Sequence, residues 1–150
     1  MTEVLFYHLT STPLEATLPT LLQKSLERGW TVCIQGRGRD ALDRLDRHLW
    51  TFDDASFLPH GMAGGDHDAL QPILLTATDQ VANSADVLML VDGAKRDVPD
   101  LQAFARTCLF FDGNDPDQVA HTRDYWTKVK GAGLAAKYWA QEDGSWVLKA

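Results

Sequence analysis

Residues Trp30 to Gly65 read WTVCIQGRGRDALDRLDRHLWTFDDASFLPHGMAGG, and the order of signals in them decides the class of fold. Trp30 to Gln35 is a short run of strand formers, and Gly36 and Gly38 punctuate a turn. From Asp40 the pattern is that of an amphipathic helix: Leu42, Leu45 and Leu49 recur at three- and four-residue spacing, with Asp43, Arg44, Asp46 and Arg47 between them. The helix gives way at Trp50, and the chain turns through Asp53 and Asp54. Pro59 pushes the residue before it toward an extended backbone, so Ser56 to His60 reads as a strand or strand end. A glycine-rich loop runs from His60 to Gly65. A strand passing through a tight turn into a helix is the repeating half of a parallel α/β sheet.

The same alternation extends outward in both directions. Val4 to Leu9 is a buried strand, and Ser11, Thr12 and Pro13 signal a helix start. Leu14, Leu18, Leu21, Leu22 and Leu26 then share one face, and Gly29 ends that helix. Pro72 to Ala77 and Asp86 to Val91 are further strands; Asp79 to Ala85, between them, is too short for a crossover helix and reads as a turn or a single helical turn. Pro99 to Arg106 is a short helix, and Thr107 to Phe111 a strand. Asp115 and Pro116 open a long helix to about Lys130, closed by Gly131 and Gly133, with terminal strands at Leu134 to Ala140 and Trp146 to Leu148. Most strands are continuous apolar runs, which fits a sheet covered on both faces. The expectation is one domain over residues 1–150: a three-layer α/β/α fold with a mostly parallel, Rossmann-like sheet and no P-loop.

At 150 residues, 45% hydrophobic and 23% charged, the composition is that of an ordinary globular protein. No apolar run approaches the roughly 20 residues of a membrane helix, and MTEVLFYHLT lacks the basic start of a secretory signal. Cys33 and Cys108 sit in apolar runs and read as small buried hydrophobes. A cytoplasmic location is therefore expected. The net charge of −7 argues against a general nucleic-acid binder, which needs clustered Lys and Arg. Residues 121–150, however, carry five Lys and Arg against three Asp and Glu, so an acidic partner would be met at that end.

Signals of catalysis are weak. Gly36 to Ala41 matches G-x-G-x-x-A after a strand and before a helix, the place of a dinucleotide pyrophosphate. It follows the second strand, though, and no acidic residue ends the next one to hold a ribose; a turn with Asp40 as N-cap is the simpler reading. A nucleotide- or dinucleotide-binding enzyme using this turn is the alternative function. Asp92 resembles the metal-holding aspartate of a nucleotide hydrolase, but no phosphate loop accompanies it, and a turn at Asp92 and Gly93 accounts for it. His8, His48, His60, His67 and His121 show no ligand-pair spacing; only His60 and His67–Asp68 are close together. No Ser, Cys or Lys stands in a nucleophile-elbow context. No catalytic residue, metal or cofactor is expected.

A binding surface is better supported. Arg123, Trp126 and Lys130 lie at i, i+3 and i+7 on one helix face. Arginine suits a carboxylate and tryptophan an apolar side chain beside it, so the three would hold an acidic, hydrophobic peptide terminus. A tryptophan anchoring the helix with solvated charges around it is the other reading of the same spacing. Direct single-strand binding through Trp126 and the nearby lysines is a third.

Three segments together, VLFYHL (Val4 to Leu9), the Leu-Asp, Leu-Trp, Phe-x-Pro-His and glycine-loop succession of residues 40–65, and the spacing Arg123, Trp126, Lys130, Gly133, resemble the chi subunit of bacterial DNA polymerase III. The resemblance implies a three-layer fold without catalytic residues and without cofactors. It implies a helix at Arg123, Trp126, Thr127 and Lys130 that binds the acidic, phenylalanine-ended tail of single-stranded DNA-binding protein. Family members commonly carry lysine where this chain has Thr127; Lys128 points elsewhere on the helix. It further implies that the segment of Trp50 and Phe57 meets the psi subunit of the clamp loader or a helicase-related partner, with DNA contacted only indirectly.

Overall fold

The N-terminal apolar run forms β1 (Glu3–Leu9), a central strand of an eight-stranded sheet in the order β3-β4-β2-β5-β6-β1-β7-β8. The structure is a computed structural model describing residues 2–10, 13–51, 58–142 and 145–150. The other strands are β2 (Val32–Gln35), β3 (Gly61–Met62), β4 (Ile73–Thr76), β5 (Val87–Leu90), β6 (Arg106–Asp112), β7 (Ala135–Glu142) and β8 (Ser145–Leu148). Every pairing is parallel except β7 with β8. The helices are α1 (Leu14–Glu27), α2 (Arg39–Thr51) and α3 (Pro116–Gly131), with 3-10 turns at Asp68–Leu70 and Val98–Ala103. No helix among the described residues is long and apolar enough to cross a membrane.

Alternation along the strands divides the core into two layers. Leu5 and Tyr7 of β1, with Ile34, Leu75, Met89 and Phe110, pack under Leu18 and Leu22 of α1 and Leu42, Leu45 and Leu49 of α2. Val4 and Phe6, with Cys33, Leu88, Leu109 and Phe111, pack on the opposite face under Tyr125 and Val129 of α3 and Leu101 of the second 3-10 turn. The three-layer α/β/α expectation holds. Each fully buried Leu or Phe contributes about 1.5–3 kcal/mol of transfer free energy, so these two layers supply most of the drive to fold.

Local chemistry sets the element ends, and three expectations are corrected. Asp40 is not the N-cap of α2: the helix starts at Arg39, and the Leu42 N–H bonds the Gly38 carbonyl. Arg39 is drawn into the helix while its Nη1 donates to the Ala63 carbonyl at 3.0 Å. Leu58 to His60 is not a strand; the pairing comes one step later, at Gly61–Met62 against β4, because Pro59 has no N–H and the His60 ring is tied back to α2. Ser11, Thr12, the Asp53–Asp54 turn, Ser56 and Phe57 lie outside the described residues. The helix read at Pro99 to Arg106 is a 3-10 turn over Val98–Ala103, and Asp79 to Ala85 is a turn. Gly29 takes φ +79°, as a helix-ending glycine should.

Pro19 lies inside α1, where its missing N–H leaves the Glu15 carbonyl without its intrahelical donor. His48 of α2 donates from Nε2 to that carbonyl at 2.7 Å, so a defect in one helix becomes a clamp to the next. His48→Ala should destabilise the protein by about 1 kcal/mol in urea unfolding. In a Pro19→Ala background that cost should shrink, and a double-mutant cycle would read the difference as coupling.

Candidate functional site

The last helix is fixed at its start and along one side. The Asp115 carboxylate accepts from the N–H groups of Asp117 (3.0 Å) and Gln118 (3.4 Å), and Pro116 occupies the first turn. Thr122, Tyr125 and Val129 are buried, and the Tyr125 hydroxyl donates to the Arg96 carbonyl at 2.5 Å. Trp126 sits on the flank between buried and exposed sides. Its ring meets Phe6 at 5.1 Å and 70°, and Tyr138 at 6.0 Å and 84°. The Lys130 ammonium lies 5.7 Å from the same ring's centroid.

Arg123 is exposed, and among the described residues its guanidinium makes no hydrogen bond or ion pair. Arg37, Arg39, Arg96 and Arg106 each donate to a protein acceptor, whereas Arg123 shares its open guanidinium with the exposed Arg44 and Arg47 of α2 and differs from them in standing beside Trp126. The Thr127 hydroxyl turns back to the Arg123 carbonyl at 3.1 Å. Lys128 lies by Lys95, whose pKa is lowered by burial first and then by that like charge, with Asp124 opposing. The structure thus brings Arg123, Trp126 and Lys130 to one flank and leaves Lys128 on another. Trp126 both anchors the helix and remains partly accessible, so the two readings of its spacing are compatible.

Sequence reasoning missed the floor of this flank. β1 and β7 run parallel with Phe6 opposite Tyr138, and His8 shares that face. His8 Nδ1 is 2.5 Å from the Tyr138 hydroxyl, and its ring lies 4.9 Å from Phe111. A Cβ at Gly113 would overlap the His8 ring, so only glycine leaves room for it. Burial lowers the His8 pKa, Arg123 lowers it further, and Asp112 opposes. The Tyr138 pKa is raised by burial, with Arg123 opposing. The period-two pattern of Val4, Phe6 and His8 was the one signal available in the chain.

The second expected surface is described only in part. Trp50 is 49% exposed, and its ring packs on that of His60 at 4.1 Å and 36°. Phe57 lies outside the described residues. His60 itself is buried, with Nδ1 2.6 Å from the Leu58 carbonyl and Nε2 3.1 Å from that of Asp46. The Asp68 carboxylate accepts from the N–H groups of Gly64 and Gly65 at 2.9 and 3.0 Å, which closes the glycine loop. Among the described residues, no group of three or more His, Cys, Asp or Glu is placed to hold a metal ion.

At the Gly36 to Ala41 turn, a Cβ on Gly36 would stand 3.0 Å from Leu42, so the glycine serves close packing of strand and helix. Arg37 Nε donates to the Asp92 carbonyl at 2.7 Å, and Asp92 and Gly93 have φ of +53° and +71°, a left-handed turn. A cavity of about 510 Å³ opens nearby, lined by Leu14, Leu42, Phe110, Glu15, Arg44 and Asp112 among others; it includes none of Arg123, Trp126 and Lys130. Cys33 and Cys108 are buried free thiols, and burial pushes their pKa values up to about 11 and about 12.

Residues 1–137 match the family model described as DNA polymerase III chi subunit, HolC. A protein of Rickettsia prowazekii (strain Madrid E), described as a probable DNA polymerase III subunit chi, is 37% identical over 49 residues, 33% of this chain and 30% of that protein. The chain thus spans under a third of that curated relative in the matched region.

Trp126→Ala should cost about 2–4 kcal/mol of stability because it empties the contact with Phe6 and Tyr138. Arg123→Ala should stay within about 0.5 kcal/mol of the parent, since its side chain touches no acceptor among the described residues. Urea unfolding of the two variants reads both. Both thiols should resist alkylation in the folded protein at mildly alkaline pH and react on unfolding; mass spectrometry before and after denaturant checks this.

Proposed function

The chain belongs to the DNA polymerase III chi subunit family, and from that premise we propose that it is a non-catalytic accessory subunit that tethers the replicative polymerase to coated single-stranded DNA. Its partner on α3 is the acidic, hydrophobic C-terminal tail of single-stranded DNA-binding protein. The observation that carries this reading is Arg123: a guanidinium unengaged among the described residues, on the same flank as a partly accessible Trp126 with Lys130 over its ring. A peptide carboxylate would bond Arg123, and an aromatic side chain would lie on the indole. Lys130 adds attraction for the acidic residues ahead of the terminus, and Thr127 contributes surface without charge. Engagement raises the local concentration of polymerase at the fork, with no chemistry asked of this chain.

Trp50, with Phe57, is the surface proposed for the psi subunit or a helicase-related partner. Its exposed aromatic fits an interface anchor. DNA is reached through the coating protein, in keeping with the net charge of −7. The cytoplasm is the compartment where this assembly works.

Calorimetric titration with a synthetic copy of the tail, beside a copy lacking its last residue, tests the reading. Binding on the order of micromolar, lost on truncation, is expected; equal affinity for both peptides, or none for either, overturns it. Arg123→Ala should weaken the intact peptide by about 1–3 kcal/mol, the range for a hydrogen bond to a charged group.

A further inference from the structure

The α3 flank borders a histidine that the tail reading leaves unused. Three elements close on the His8 ring: Phe111 at 4.9 Å and Gly113 from the end of β6 and the turn after it, and Tyr138 of β7, whose hydroxyl is 2.5 Å from Nδ1. The charged groups acting on the ring are Asp112, which favours its protonated form, and Arg123 of α3, which disfavours it. Burial is the largest influence and, with Arg123, holds the pKa below the ordinary histidine value. Tyr138, the remaining ionisable neighbour, keeps its proton because burial raises its own pKa.

We propose that His8 takes up a proton when a peptide carboxylate engages Arg123, and that it acts through Tyr138 as a positioning residue of that site. The inference rests on the reading of α3 as a carboxylate-binding face. With a neutral ring, Nδ1 accepts the Tyr138 O–H. Once Nδ1 carries a proton from solvent, it donates to the phenolic oxygen instead. The Tyr138 O–H, on a ring that packs against Trp126 at 6.0 Å, is then freed to donate toward a carboxylate held on that face. The same carboxylate offsets the guanidinium charge that had opposed a cation on the ring.

The sign follows from linkage. The imidazole pKa is higher in the complex than in the free protein. Affinity is therefore flat above the value in the complex, rises as pH falls through it, and levels off below the free-protein value. Each unit between the two values is about tenfold in Kd.

The test is titration of the full chain with an acidic peptide ending in phenylalanine, at about pH 6 and about pH 8, each in phosphate and in imidazole buffer. Heats that differ between buffers by uptake of up to about one proton, with tighter binding at the lower pH, are expected. His8→Gln, which keeps a partner for the Tyr138 hydroxyl but cannot titrate, should bind without uptake. NMR titration of the parent's His8 ring with and without peptide should show its pKa raised by the peptide, and needs no variant to fold. Binding without buffer dependence, an unmoved His8 titration, or uptake that persists in His8→Gln overturns the inference and leaves the tail reading standing. No binding at either pH overturns the tail reading and this inference with it.

Discussion

The placement of β1 between β6 and β7 is the constraint on which the α3 side of the molecule depends. Parallel strands cannot be joined by a hairpin, so the chain leaving β6 must cross over β1 to reach β7, and α3 is that crossover. Crossing there lays Tyr125 and Val129 into the Val4–Phe6 layer and brings Trp126 edge-on to Phe6. The same register sets Tyr138 opposite Phe6 and within reach of His8. One strand's position thus supplies the floor, one wall and the helix of the proposed binding face.

Elsewhere the fold is held by polar groups that meet defects in the regular elements. The carbonyl freed by Pro19 is taken by His48, which ties α1 to α2. The passage from β4 to β5 crosses β2 without a helix, and buried Asn83 fastens it by donating to the Val32 and Gln71 carbonyls at 3.0 and 2.9 Å. Asp115 and Asp68 close two further sets of open N–H groups. Backbone groups left open at these breaks are taken up by the side chains, Asn83 in the interior and the others nearer the surface, which commits those side chains to structure.

That accounting gives the α3 flank its meaning. In an acidic chain, Arg106 is paired with Glu3, Arg96 with Gln35, and Arg37 and Arg39 with backbone carbonyls. Among the described residues the guanidinium of Arg123, like those of Arg44 and Arg47, has no such engagement, and Arg123 alone of these stands beside an indole that packing against Phe6 and Tyr138 holds rigid. The preformed indole loses little freedom on binding, and the uncommitted guanidinium keeps its donors open for a terminus of matching charge. The guanidinium also acts on the His8 and Tyr138 equilibria, so whatever neutralises it is felt at the base of the flank.

Local signals settled the elements. The leucine spacing of α1 and α2, the apolar runs of β1, β4, β5 and β6, and the Asp115–Pro116 start of α3 each act within a few residues, so the chain alone determined them. Helical geometry is equally local, and it already put Arg123, Trp126 and Lys130 on one face. Two of the three errors fell where two local rules competed, at Asp40 against Gly38 and around Pro59, and there the contacts of Arg39 with Ala63 and of His60 with Asp46 decided. The third was the helix at Pro99 to Arg106, which is a 3-10 turn ending before Arg106 enters β6. Sequence could not show that Phe6, His8 and Tyr138 meet, because His8 and Tyr138 are 130 residues apart and are joined only by a parallel pairing across the α3 crossover. Tertiary structure alone decided that Trp126 is anchored yet accessible, since exposure depends on which strands lie beneath the helix and no local pattern encodes that.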